Sequence, residues 1–281
     1  MMFIDFCRAH GLLVDYVIND GKWHRVKTVD HTHKKNGAYI YDGVRGAVQN
    51  WATMEKAESW KTDKHFNIAE HRRQMREIGR QEQEAAARAA KKARYMLEKS
   101  ELTNFAYLEM QGFPDAKMHT LTTKDGKEMG LIPVRVNGEV TSLQTLVYDA
   151  ENRRWIKKFL AGGTTKCGVF IFGTRGDLIL CEGYATGLSV FSAAQKANIH
   201  VRVVVCFSAH NMVTVAQKLK PRLVIADNDA SGTGERVAVQ IGAQYWMSET
   251  VGNDFNDDHR QRGLFAVSND LRKLFIRRVN A

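Results

Sequence analysis

Apolar residues in the C-terminal third of the chain come in short unbroken runs. "DLILCEG" (Asp177 to Gly183), "VRVVVCF" (Val201 to Phe207), "RLVIADND" (Arg222 to Asp229) and "AQYWMSE" (Ala243 to Glu249) have strand length. The run from Val201 is β-branched without polar alternation, as a strand buried on both faces must be. The segments between the runs switch to helical spacing. In "YATGLSVFSAAQKAN", Leu188, Phe191 and Ala194 share a face, "NMVTVAQKLKP" is stopped by Pro221, and "GTGERVAVQIG" ends at Gly242. Strands alternating with helices predict an α/β fold with a parallel sheet and crossover helices. Ligands of such sheets collect at the carboxyl ends of the strands.

Other patterns precede this one. From Leu131 to Gly173 short strands alternate with turns, at "KDGK" just upstream and at "VNGE" and "DAENR". From Thr62 to about Met110 alanine, glutamine and charged residues dominate, which predicts one long helix or two acting as a solvated connector. From Gly21 to Trp51 aromatic, basic and glycine residues alternate, the pattern of a small β-rich module. After the last strand, Leu264, Val267, Leu271, Leu274 and Phe275 recur at helical spacing, and core packing is their expected use. The divisions expected are 1–61 for the β-rich module, 62–112 for the connector, 113–176 for a strand-rich subdomain, 177–263 for the parallel sheet and 264–281 for a terminal helix. The whole is mixed α+β.

Chemistry enters at the strand ends. Glu182, Asp227 and Asp229 follow predicted strands directly, so the fold brings them to one edge. Gathered carboxylates repel unless a cation sits among them, and Mg²⁺, which takes oxygen ligands and keeps waters, is the economical choice. "NDFNDDH" adds Asp254, Asp257 and Asp258 after the fourth strand. The competing use of such aspartates is to cap the next helix. Lys157 and Lys158 precede the pair Gly162 and Gly163, a place for ammonium and backbone N–H groups to meet phosphate, or else a guarded strand edge.

The 281 residues carry a formal net charge of +10, which favours a polyanionic partner. The four cysteines are scattered without a C-x-x-C pair, as expected of reduced thiols in a cytoplasmic protein. The start "MMFIDFCRAHG" lacks an apolar signal core, and no apolar stretch reaches membrane-span length. Cys7, His10, His24, His31 and His33 lack the spacing of a structural zinc site, so no zinc is expected. Trp23, Tyr39, Tyr41 and Trp51 beside Arg25, Lys27, Lys34, Lys35 and Arg45 suit either base stacking and phosphate contact or the packing of a very small core.

The motifs "CEGYATGLS", "ADNDASGTGE" and "GNDFND", in that order, resemble the Toprim domain of phage and plasmid primases, the satellite-phage alpha type included. Upstream, "LIPVRVNGEVTSLQTLVYDAENRRWIKKFLAGGTTKCGVFIFG" resembles the segment that precedes Toprim in those primases, with Gln144, Lys157, Lys158, Gly162 and Gly163 at matching places. The front module resembles in position the primase zinc-binding module, without its cysteines. The resemblance implies that Asp227 and Asp229 hold two Mg²⁺ or Mn²⁺ ions, that Asp254 or Asp257 completes the set, and that Glu182 works as acid, base or metal-adjacent group. It implies phosphate contacts from Lys157, Lys158 and Arg175, and nucleic-acid contacts from Gln144, Gly162 and Gly163; the basic pattern of the front module offers Arg25, Lys34 and Lys35 for the same use. The activity implied is primer synthesis on single-stranded DNA from nucleoside triphosphates, beside a separate replicative helicase and no membrane. A Toprim nuclease and a non-catalytic module that holds single strands or a helicase are the alternatives.

Overall fold

The computed structural model describes residues 1–61, 68–123 and 125–276. The sequence expectations at 62–67, at Lys124 in the "KDGK" turn and at 277–281 lie outside the described residues. Two compact units emerge, Met1–Glu84 and Ala85–Ala281.

In the first unit, helix α1 (Phe3–Ala9) leads into an antiparallel meander of β1 (Leu12–Leu13), β2 (Trp23–Thr28), β3 (Gly37–Tyr41), β4 (Arg45–Asn50) and β5 (Glu58–Lys61). The β-rich expectation holds, but α1 escaped it. Seven residues carry too few turns to show a period, yet α1 supplies Phe3 and Cys7 to the core with Leu12, Val14, Tyr39 and Val48. The Phe3 ring stacks on Tyr41 at 4.4 Å. The aromatics therefore divide: Tyr39 and Tyr41 pack inside, whereas Trp23 and Trp51 are exposed.

A single helix, α2 (Ile68–Glu98), follows and crosses the division between the units. The strand-rich subdomain then begins earlier than expected. β6 (Glu101–Asn104) and α3 (Ala106–Met110) fall in the stretch assigned to the connector, but β6 is the edge strand of the second sheet. Four residues with one intermediate position show no alternation to read. The sheet continues with β7 (Lys117–Thr122), β8 (Glu128–Val136), β9 (Glu139–Asp149) and β10 (Arg154–Phe159), antiparallel throughout in the order β10-β9-β8-β7-β6. Asn137 and Gly138, both at positive φ, make the two-residue turn between β8 and β9. One face meets α2 through Ala93, Leu131 and Leu143. The other gives Met118, Ile132 and Leu146 to the main core.

The third sheet contains β11 (Phe170–Phe172), β12 (Asp177–Cys181), β13 (Val201–Val205), β14 (Leu223–Ala226) and β15 (Gln244–Met247), in the order β11-β13-β12-β14-β15. The last four are mutually parallel as expected, and β11 adds an antiparallel edge. The helices are α4 (Tyr184–Lys196), α5 (Ala209–Leu219), α6 (Thr233–Ile241), α7 (Phe255–Arg262) and α8 (Leu264–Ile276). Ile179, Val203 and Ile225 face α4 and α8, while Leu180, Val204 and Val224 face α5 and α6. Both faces are covered, which is why these strands read as unbroken apolar runs. Val267 and Leu271 are fully buried, so α8 is a core helix. No helix among the described residues is long and apolar enough to cross a membrane. Leu180→Ala empties space at the centre of the sheet and is expected to cost about 2–5 kcal/mol, read from urea unfolding midpoints.

Candidate metal and phosphoryl-transfer site

The strand order decides where the carboxylates meet. From central β12 the chain goes through α4 to β13 on one side; from β14 it goes through α6 to β15 on the other. The crevice between the carboxyl ends of β12 and β14 is the topological switch point, the place where open parallel sheets bind ligands. Glu182 follows β12 and Asp227 follows β14 at that crevice.

Each acid is held differently. Glu182 accepts a hydrogen bond from the Ala209 backbone N–H at the start of α5, yet burial, seconded by the charge of Asp229, pushes its carboxyl above the usual range. Its carbonyl accepts from Phe207 N–H at 2.9 Å, and Phe207 has a φ of 64°, a left-handed conformation that is costly without glycine. Asp227 is raised to about 7, first by burial and then by Asp254, Glu182, Asp229 and Asp257 in that order. Its Oδ1 is buried with no hydrogen-bond partner. Asp229 is different. Its Oδ1 accepts from Ser231 N–H at 2.7 Å and from the Ser231 hydroxyl, and these bonds at the start of α6 hold it below the ordinary carboxylate range.

Asp254 and Asp257 both take up the capping role. Asp254 is the N-cap of α7, accepting from Asp257 N–H at 2.9 Å, and Asp257 returns a bond to Asp254 N–H at 3.1 Å. The two are not equivalent. The other oxygen of Asp254 accepts from the Thr186 hydroxyl at 2.8 Å, in the first turn of α4 beside Glu182, whereas Asp257 makes an ion pair with Arg260 at 3.8 Å. Asp258 is buried in a third role, accepting from Ser248 and Asn253 and pairing with Arg262.

The acids thus share one electrostatic site, although among the described residues no three His, Cys, Asp or Glu side chains converge closely enough to hold an ion. The donor set still fits a divalent cation. It consists of hard carboxylate oxygens, and one of them is buried with nothing to accept from.

The second sheet reaches this edge through β10 and through a backbone bridge from Arg135 of β8 to Val169. On β10, Lys157 pairs with Leu146 and Phe159 with Gln144, so Lys157, Phe159 and Gln144 share a face. The Phe159 ring meets Phe207 edge-on at 5.8 Å, next to the Glu182 carbonyl. Lys157 lies over the Tyr107 ring at 5.3 Å. Lys158 must point to the opposite face, so the two lysines do not form one site. Gly163 belongs with the Lys157 face, since a Cβ there would collide with Ser142. Gly162, at φ 76°, instead turns the chain against Ala85 of α2.

Arg175 is not brought to the acids, and that expectation is corrected. It precedes β12, at the amino ends of the parallel strands, where it contacts His200 at 3.0 Å. Arg25, in the first unit, stacks on Trp51 at 4.2 Å and donates to the Lys35 carbonyl at 2.6 Å; Lys34 and Lys35 are exposed in the adjoining loop.

Sequence reasoning missed the organisers. Buried Asn211 accepts from Cys167 N–H and donates to the carbonyls of Gly168 and Cys206, which ties the 163–168 loop, with exposed Lys166, to the carboxyl end of β13. Asn228 bonds Asn253 and Gly252 through its backbone and Ser248 through its amide, which draws the Asp254 loop to Asp227. The asparagine within "DND" was the available signal.

Comparison with known families decides the core of this arrangement: residues 177–264 match the Toprim domain. The chain carries a Toprim domain. Toprim domains bind Mg²⁺ through acidic residues and are usually catalytic in nucleic-acid metabolism. No curated protein and no solved structure matches the chain.

Two outcomes follow from the Toprim site. Without divalent ions, Asp227 keeps its proton in the folded state up to about pH 7 and loses it near pH 4 when unfolded, so its contribution to stability falls as pH rises across that window. Asp227→Asn is therefore expected to raise the melting temperature in EDTA at pH 8 and to abolish the stabilisation by added Mn²⁺, read by calorimetry. Gly234→Ala puts a Cβ into the Asp227 carbonyl and is expected to weaken the Mn²⁺ response severalfold while β-sheet circular dichroism is retained.

Proposed function

We propose that the protein is a DNA primase of the phage or plasmid type, which makes short RNA primers on single-stranded DNA. The Toprim domain supports metal-dependent nucleic-acid chemistry, and the primase reading goes beyond it. The observation that carries the reading is the Phe159–Phe207 contact, which puts the Lys157 face of the strand-rich sheet beside Glu182. A polymerising site needs that addition: a cationic wall for a triphosphate next to the acids.

In the proposed reaction the 3′-hydroxyl of the primer attacks the α-phosphate of a nucleoside triphosphate and pyrophosphate leaves. Asp227, Asp229 and Asp254 would hold two Mg²⁺ or Mn²⁺ ions, with Asp257 as the cap that fixes Asp254. Bound there, the ions supply positive charge to the triphosphate and its leaving group. Glu182, whose half-buried carboxyl favours holding a proton, accepts the one lost by the attacking hydroxyl. Lys157 and the N–H groups around Gly163 receive phosphate oxygens, and Gln144 lines the same path; Lys158, on the other face, contributes charge to the template side. In the first unit, exposed Trp23 and Trp51 offer stacking surfaces, with Arg25, Lys34 and Lys35 beside Trp51 for the strand backbone. A replicative helicase is the proposed protein partner.

Incubation with single-stranded DNA, labelled nucleoside triphosphates and Mg²⁺ or Mn²⁺ tests the proposal. Short labelled oligomers are expected from the wild type and none from Asp227→Ala with Asp229→Ala. Lys157→Gln should lower synthesis by roughly tenfold or more, the scale of one charge-assisted phosphate contact. Degradation of the template without synthesis, lost in the same aspartate variant, would replace primase with nuclease.

A further inference from the structure

A second charged cavity lies at the other end of the Toprim sheet. Its volume is about 650 Å³, and Asp177, Arg202, Lys220, Arg222 and Phe275 line it. It stands at the amino ends of β12, β13 and β14, opposite the carboxylate edge. Three cations face one anion there. Asp177 is taken by Arg222, whose guanidinium also donates to the Phe275 carbonyl at 3.1 Å and stacks on its ring at 4.2 Å. That leaves Arg202 and Lys220 without an ion-pair partner among the described residues.

Arg202 supplies the independent sign of a ligand. Its Nε is buried and has no hydrogen-bond partner. A buried donor left unmade is costly, and costlier on a charged group. Water or a polar side chain would answer a lone N–H, but two unpaired cations in one cavity call for an anion. A guanidinium with an adjacent ammonium is the donor pattern that takes phosphate oxygens, the Arg by its planar fork and the Lys as a point charge. The walls are built rather than accidental. Gly176, at φ 96°, approaches the His200 carbonyl so closely that no side chain fits, and Lys220 holds a left-handed conformation at φ 46° to close α5 over Pro221.

We infer that this cavity is a second phosphate-binding site, remote from the acidic edge, with Arg202 and Lys220 as its ligands and Arg222 fixed by Asp177 as its wall. The phosphate belongs to a nucleotide's phosphate chain or to the backbone of a nucleic-acid strand. The inference stands apart from the primase reading, since neither cation takes part in that chemistry.

The test is binding to the full chain in EDTA, so that divalent ions do not recruit phosphate to the carboxylates. Inorganic pyrophosphate and ATP are followed by calorimetry, and a fluorescein-labelled oligothymidylate by anisotropy, each against Arg202→Gln with Lys220→Gln. At least one probe should bind the wild type in a salt-sensitive way and lose roughly tenfold or more in affinity in the double variant. Loss for pyrophosphate and ATP assigns a phosphate chain; loss for the oligonucleotide alone assigns a strand backbone. No binding of any probe to the wild type, or equal binding to both proteins, overturns the inference. Should Arg202→Gln fail to fold, Lys220→Gln alone changes an exposed side chain and must still weaken binding.

Discussion

Repulsion among carboxylates that the backbone refuses to separate is the constraint on which the Toprim unit is built. Parallel strands end side by side, and the reversal of strand order opens a crevice where Glu182 and Asp227 face each other. Asp229 and Asp254 add charge there, and burial removes water that would screen it. Such a site destabilises the protein unless a cation or a proton enters. The fold therefore needs other bonds to keep the acids in place. Asn228, Thr186 and the capping pair at α7 provide them, each tying a different loop to the strand ends. Asp229 keeps its charge beside the others because the Ser231 hydroxyl and N–H stabilise it.

The same constraint explains why the strand-rich sheet matters. Acids alone attract a cation and little else. In the proposed reading a substrate with several phosphates needs a positive group on its far side, and Lys157 is the candidate on β10, the strand anchored by Phe159. The Asn211 network fixes the loop that follows, so Gly163 and Lys166 are held by the element whose first turn also donates to Glu182. The acidic edge and the strand-rich sheet are thereby parts of one packed body within the second unit, with Leu146 and Tyr184 in a shared core.

Much of the fold was legible because its signals are local. Unbroken runs at Ile179, Val203 and Val224 announced strands covered on both faces, and Pro221 and Gly242 marked helix ends. Short elements escaped: α1, β6 and α3 have too few residues for a period to show. The acids were legible as a group since Glu182, Asp227 and Asp229 follow strands closely and Asp254 and Asp257 lie in the next acidic run. Their separate roles were not, because capping and metal binding ask for the same residue types at the same strand-to-helix turns. Asp254 and Asp257 stand three residues apart, and the Thr186 contact of the one and the Arg260 ion pair of the other distinguish them.

Periodicity and residue chemistry by themselves determined the parallel sheet and the acidic edge. These follow from backbone hydrogen bonding and from which side chains tolerate burial, and both are written residue by residue. Tertiary structure alone decided that the Phe159 face of β10 meets Phe207, that Arg175 lies at the far end of the strands, and that the Nε of Arg202 is buried with an unmade bond. Such facts depend on register, strand order and long-range packing. Those are set by contacts between residues far apart in the chain, and no local pattern records them.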